Sequence, residues 1–146
     1  MQPVLTEFQK RKVVGVGSIG SPTNPGDVWP VLFARLEEVP GRVNRLETIG
    51  LIKRNEHGYI AGVETELLSE VPEGMVAYEI PAGKYAGITH RGPLNQLKST
   101  FEKLVGWLAD NRYDPYDAVF FEVYDHRYKD DNNDSEFDIF VQLKQV

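Results

Sequence analysis

The stretch "KVVGVGSIG" from Lys12 has a counterpart in "KYAGITHRG" from Lys84. Lys12, Gly15 and Gly20 match Lys84, Gly87 and Gly92 without a gap, and Pro22 and Pro93 follow closely. An internal repeat constrains a chain more than any single motif, because each copy is one supersecondary unit that must bury its apolar face against the other. In the second copy Leu94, Leu97, Phe101, Leu104, Val105 and Leu108 recur at three- and four-residue steps, one face of a helix, with Pro93 in the first turn. In the first copy Asp27 is expected to cap a shorter helix carrying Val28, Val31, Leu32 and Leu36, ending near "VPG", residues 39–41.

Two strand-like runs follow each helix. They are "RLETIGLIKR" and "YIAGVETELL", joined by "NEHG", and "AVFFEVYD" and "EFDIFVQLK", joined by "HRYKDDNNDS". Both pairs read as antiparallel hairpins. The predicted unit is strand, helix, strand, strand, made twice within a single domain over residues 1–146. The halves run from about 10 to 70 and from 71 to 146, with the joint in "EVPEGM", and "MVAYEIP" is expected to pair into the first-strand region of the second half. The predicted fold class is therefore α+β: a duplicated β-α-β-β unit whose antiparallel sheet carries both helices on one face. Gly15 should superpose on Gly87, and Gly50 should lie near Glu122.

The first glycine run also spells G-x-G-x-x-G, the dinucleotide-binding loop. That loop needs a helix to begin within the motif, its N-terminus facing the pyrophosphate. Here Pro22 and Pro25 interrupt such a helix. Gly17 aligns with Thr89, so the second copy lacks the glycine that would approach a phosphate. The acids about 20 residues on, Glu37 and Glu38, close a helical pattern instead of a strand. The shared glycines are read as a bulged strand and the turn out of it, and no nucleotide cofactor is expected.

Composition removes further classes. The chain has no Cys, which excludes disulfides, thiolate metal sites and a cysteine nucleophile. A net charge of −6 argues against a phosphate-backbone footprint. No direct nucleic-acid binding is expected, and a cationic or neutral partner fits better. "MQPVLTEFQKRK" has no apolar signal core, and no run reaches membrane-spanning length, so the expected location is cytoplasmic with no membrane partner. His57, His90 and His126 have no zinc spacing. "DDNNDSE" fails as a calcium loop, with Ser135 where the turn glycine is due and Val141 where the bidentate glutamate is due; it reads as a solvated hairpin tip. No metal is expected.

The run "VFFEVYD" is the most informative strand for a site. Alternation puts Phe120, Glu122 and Tyr124 on one face and Val119, Phe121 and Val123 on the other. Either the second set is core and Glu122 points to water, or the first set lies in a cavity under the helices. A carboxylate between aromatic rings is poorly solvated; its charged form wants a cation, and aromatic faces attract cations too. Gly50 is the matching position in the first copy and would leave room for a ligand. Trp107, off the centre of the helical stripe, Trp29 and Phe33 at the start of the first helix, and Tyr59 at the start of "YIAGVE" are the further candidates for the cavity wall. Core packing is the competing place for such rings.

"YIAGVE", "VPEGMVAYEIPAGKYAGITHRGP", the helix with "LVGWL", "FFEVYD" and "FDIFVQL", in this order and over nearly the whole chain, resemble the GyrI-like (gyrase-inhibitor-like) effector-binding domains, which also form the ligand-sensing half of some AraC- and MerR-type regulators. The resemblance implies a duplicated strand-helix-strand-strand fold. It also implies a small lipophilic, often cationic ligand held between the two helices, with Glu122 in the place of the family's buried glutamate. Haem-binding relatives share the fold, but no histidine is expected on the inner strands, so no cofactor is expected. About twelve residues precede the first expected strand, too few for a helix-turn-helix domain, so a stand-alone domain is expected. Its function would be drug or toxin sensing or sequestration. The alternatives are a hydrolase of strained-ring compounds, with Glu122 as general base and Tyr124 as hydrogen-bond donor, and a regulator of a protein target such as gyrase. A protein partner or a homodimer is compatible with either.

Overall fold

The computed structural model describes residues 2–53, 57–66 and 70–144, with the backbone alone for 116–119. Part of the expected "NEHG" link and the side chain of Val119 lie outside the described residues. Eight strands, β1 (Val4–Phe8), β2 (Arg11–Ser18), β3 (Thr48–Lys53), β4 (Gly58–Glu64), β5 (Val76–Ile80), β6 (Gly83–Arg91), β7 (Pro115–Tyr124) and β8 (Glu136–Leu143), form one curled antiparallel sheet. Its order is β1-β6-β8-β7-β3-β4-β2-β5. Helix α1 (Pro25–Ala34) lies between β2 and β3, and helix α2 (Leu97–Asp110) between β6 and β7.

The register makes the repeat quantitative. Val4 pairs with Gly87, and Val76 pairs with Gly15; Val4 to Val76 and Gly15 to Gly87 are both steps of 72 residues. The same step carries the start of α1, Pro25, to the start of α2, Leu97. Two expectations are corrected here. The segment "MVAYEIP" does not pair with the second half: β5 lies on β2, at the edge of the first half. The residues before Lys12 hold a strand of their own, β1, which crosses to pair with β6 in the second half. Each half thus lends its leading strand to the other.

In the central pair, β3 against β7, Gly50 sits opposite Glu122. These two are also 72 residues apart, so they are repeat mates as well as neighbours, and the pseudo-two-fold axis passes between them. Beyond the axis the step lengthens. Ala61 pairs with Gly50 and Ile139 with Glu122, a separation of 78, so the second hairpin is six residues longer.

The glycine-rich stretch is a strand. β2 runs through Gly15 and Gly17 to Ser18, and α1 starts only at Pro25. Gly17 has φ +130° and passes so close to β4 that a Cβ would lie 2.1 Å from the Tyr59 carbonyl oxygen. A neighbouring strand, not a phosphate, requires this glycine. Asn24, not Asp27, caps α1: its Oδ1 accepts from the Gly26 N–H at 2.9 Å. Pro25 fills N1, where its missing N–H costs nothing, and Asp27 sits in the first turn.

Both faces of the sheet are buried. On one, α1 packs Val28 and Leu32 onto Tyr59 and Ala61 of β4, and α2 packs Leu104 and Leu108 onto Phe137, Ile139 and Val141 of β8. Val31, Leu94 and Val105, expected on the packed faces, are 42–46% exposed. The opposite face is closed by the curl itself: Phe8 meets Tyr85, Phe121 and Phe140 at 5.4, 5.7 and 4.9 Å between ring centroids. Arg11 lies over the Phe8 and Phe121 rings and pairs with Glu47 and Glu64.

This arrangement resolves the ambiguity in "VFFEVYD". Phe121 and Val123 are core, yet Glu122 is not in water, because the helices cover its face as the curl covers theirs. Phe121 makes the ring contacts that close the helix-free side, so Phe121→Ala should lower stability by about 3–5 kcal/mol. Phe33→Ala, at a 58% exposed position, should cost under about 1 kcal/mol. Chemical denaturation of the two variants checks the contrast; equal losses would show that the curl is not a packed layer.

Candidate functional site

Strand alternation sends Glu122, near the C-terminal end of β7, towards the helices at the pseudo-two-fold axis. The residue is 5% exposed. The Tyr59 hydroxyl from β4 and the Tyr124 hydroxyl from β7 each donate to its Oε1 at 3.0 Å. The Trp29 indole N–H from α1 donates in turn to the Tyr59 oxygen at 2.9 Å. A relay of donors therefore runs from helix to carboxylate. Both bonds to Glu122 fall on one oxygen, which leaves acceptor capacity for a guest.

Gly50 makes this geometry possible. A Cβ there would stand 2.4 Å from the Tyr59 hydroxyl oxygen and 2.6 Å from Glu122 Oε1. Any side chain at this position would drive the tyrosine off the carboxylate.

Burial pushes the Glu122 carboxyl up to about 7, against the downward pull of the Tyr124 and Tyr59 hydrogen bonds. No cation among the described residues acts on it. Burial, and then the charge of Glu122, push the Tyr59 and Tyr124 hydroxyls far above the ordinary tyrosine value. They remain protonated donors at any physiological pH.

Above the carboxylate is a cavity of about 720 Å³, walled by Trp29, Phe33, Tyr59, Tyr124 and Leu97. Its rings interlock: Trp29 stacks on Phe33 and meets Tyr124 edge-on at 5.5 Å, and Tyr124 stacks on Phe137 at 4.6 Å. Glu122 is on the floor. Asp130, at the hairpin tip, is the other ionisable carboxyl on the lining.

Of the residues singled out in the sequence, Trp29, Phe33, Tyr59, Gly50, Glu122 and Tyr124 come together here. Phe120 does not line this cavity; it packs on Phe101 and faces a smaller adjoining one. Trp107 lines neither. α2 starts at the cavity with Leu97, so Trp107, ten residues on, is about 15 Å further along the helix axis, stacked on Tyr113 at 5.5 Å. His90, expected off the inner strands, is buried on β6, with Nδ1 bonded to Thr100 Oγ1 and Nε2 to the Pro93 carbonyl. Both ring nitrogens are thereby engaged.

The cavity is also lined by Thr48 and Ile52 on β3, and by Tyr128 and Asp130 on the tip between β7 and β8, residues that no sequence motif singles out for it. The tip is not merely solvated: Asp131 Oδ1 accepts the Leu94 N–H at 2.6 Å, tying it to the approach to α2. The six extra residues of the second hairpin were the available signal.

The raised carboxyl has a defined effect on stability. Below pH 4.5, its ordinary value, Glu122 is neutral folded and unfolded. Between 4.5 and about 7 the unfolded chain gives up this proton and the folded chain keeps it, so stability falls as pH rises and levels off above about 7. Glu122→Gln should match the parent at low pH and exceed it above neutrality, by a margin on the order of 3 kcal/mol. Melting curves across pH test this; a constant difference at every pH would mean that the carboxyl is not raised. Gly50→Ala should cost about 1–3 kcal/mol through overpacking, measured by the same melts.

The sequence profile of the GyrI-like small molecule binding domain matches residues 1–144. The chain is 32% identical, over 98% of its length, to the transcriptional regulator BrlR of Pseudomonas aeruginosa, and it spans 56% of that relative's length. Its fold is similar to that of SAV2435, solved bound to tetraphenylphosphonium, with a TM-score of 0.73, 13% identity, and 99% and 94% of the two chains covered. It is equally similar to the EcmrR C-terminal domain, with a TM-score of 0.75, 17% identity, and 99% and 98% covered. The duplicated fold, the cavity on its axis and these matches agree: the chain belongs to the GyrI-like small molecule binding domain family.

Proposed function

We propose that this domain binds lipophilic organic cations, with Glu122 as counter-ion and the rings of Trp29, Tyr59 and Tyr124 as the cage. The observation that carries this reading is the carboxylate of a residue 5% exposed, held by two neutral donors and given no cation by the described residues, at the floor of an aromatic cavity. An ionised group in such a place is costly until a positive charge arrives, and ring faces add to the attraction. Mobile, well-hydrated cations gain little by entering. A cation whose charge is spread over apolar surface loses little water and fills the cavity. The likeness in fold to SAV2435, which is bound to tetraphenylphosphonium, supports the same class of ligand. The likeness to BrlR, a transcriptional regulator, supports a regulatory setting for such binding.

A second reading has one observation in its favour. A carboxyl near 7 beside two tyrosine hydroxyls is also equipment for activating water as a general base. Mass spectrometry of reactive strained-ring compounds after incubation separates the two: a binder returns its ligand unchanged.

Fluorescence titration of a rhodamine-type cation and a neutral analogue of the same shape tests the main reading. Cation affinity should fall as pH drops below about 7, because a proton then competes for the carboxylate, approaching about tenfold per pH unit. Glu122→Gln should weaken cation binding by about 1–3 kcal/mol and leave the neutral analogue nearly unaffected. Equal, pH-independent affinity for both ligands would sink the counter-ion role.

A further inference from the structure

Next to the main cavity is a second of about 300 Å³. The two share Ile52, Leu97 and Glu122, so they meet at the pseudo-two-fold axis. The repeat relates their walls. The 72-residue step carries Pro25, Gly26, Trp29 and Thr48 of the first lobe to Leu97, Lys98, Phe101 and Phe120 of the second. It also exchanges Ile52 with Tyr124 and places Glu122 in both.

The mates differ in a consistent way. Where the first lobe has the Trp29 N–H and the Tyr124 and Tyr59 hydroxyls, the second has Phe101 and Ile52, and the mate of Tyr59 is Phe137. Where the first has small Gly26 and Thr48, the second has Lys98 and Phe120. The second lobe is thus a narrower copy of the first without its hydrogen-bonding groups. Lys98 on its rim opposes a second positive charge.

The geometry points to a bipartite site: a cation centred at Glu122 lays its aromatic part in the first lobe and an uncharged apolar arm, a short alkyl chain or a single ring, in the second. The preferred ligand class is then an asymmetric cation with one such arm. This rests on the cation-binding reading and adds a second subsite to it.

The test is a series of alkyltriphenylphosphonium ions, from methyl to octyl, titrated against the parent domain and three variants. In the parent, affinity should rise about fourfold per methylene until the lobe is full and then level off. Phe101→Trp and Phe120→Trp, which fill the second lobe from α2 and from β7, should abolish that rise while leaving the methyl compound's affinity within about twofold. Phe101→Ala should move the plateau to a longer chain, and it reads the lobe in the opposite direction if the tryptophan variants melt too early to use. A parent whose affinity does not change with chain length, or a rise that survives in the filled variants and a plateau unmoved in Phe101→Ala, overturns the second subsite while the cation reading stands. If no member binds, methyl included, the cation reading itself fails and takes this inference with it.

Discussion

The pairing of Gly50 with Glu122 is the constraint around which this domain is organised. Two strands must cross the middle of the sheet side by side, and on a pseudo-two-fold axis the same position from each copy meets itself. Two full-sized side chains pointing to the same face there would compete for one space. The chain resolves the conflict with the extreme asymmetric choice, a carboxylate on one side and no side chain on the other. The freed volume admits the Tyr59 hydroxyl, and through it the Trp29 indole. Remove the asymmetry and the relay from helix to carboxylate has no place to form.

A buried carboxylate also needs a scaffold that tolerates its cost. Here the sheet is covered on both faces, by helices on one side and by its own curl on the other. The aromatic closure around Phe8, Tyr85, Phe121 and Phe140, with Arg11 held over it by Glu47 and Glu64, supplies packing energy away from the site. The cost of the buried carboxylate is therefore offset by a layer on the face of the sheet away from the cavity. Packed core and cavity lining occupy opposite faces of the same strand, residue by alternate residue along the end of β7.

The duplication was legible because its evidence was local: matched glycines at fixed spacing, and a helical stripe after each. Gly50 and Glu122 followed from aligning the two copies. What the sequence could not show was where each leading strand pairs, since β1 and β5 have similar patterns and their exchange is a matter of chain routing. Helix length misled at Trp107, because a residue can share a helix with the site and still lie beyond its reach. Asp27 precedes the apolar run as a cap would, but α1 already starts at Pro25, so Asn24 is the cap. Tyr128 and Asp130 sit in an insertion with no counterpart in the first copy, so symmetry could not point to them.

The exchange of leading strands has a further meaning. β1 completes the second half and β5 completes the first, with identical registers. Such reciprocal lending is how two separate identical subunits would hold on to each other. Yet two identical subunits could never build this floor: they would bring either two carboxylates or two glycines to the axis. Joining the copies in one chain is what lets them diverge at the single point where they face each other, so a lone carboxylate set against a glycine on the floor of the cavity is a property of covalent linkage that no dimer of equal halves could possess.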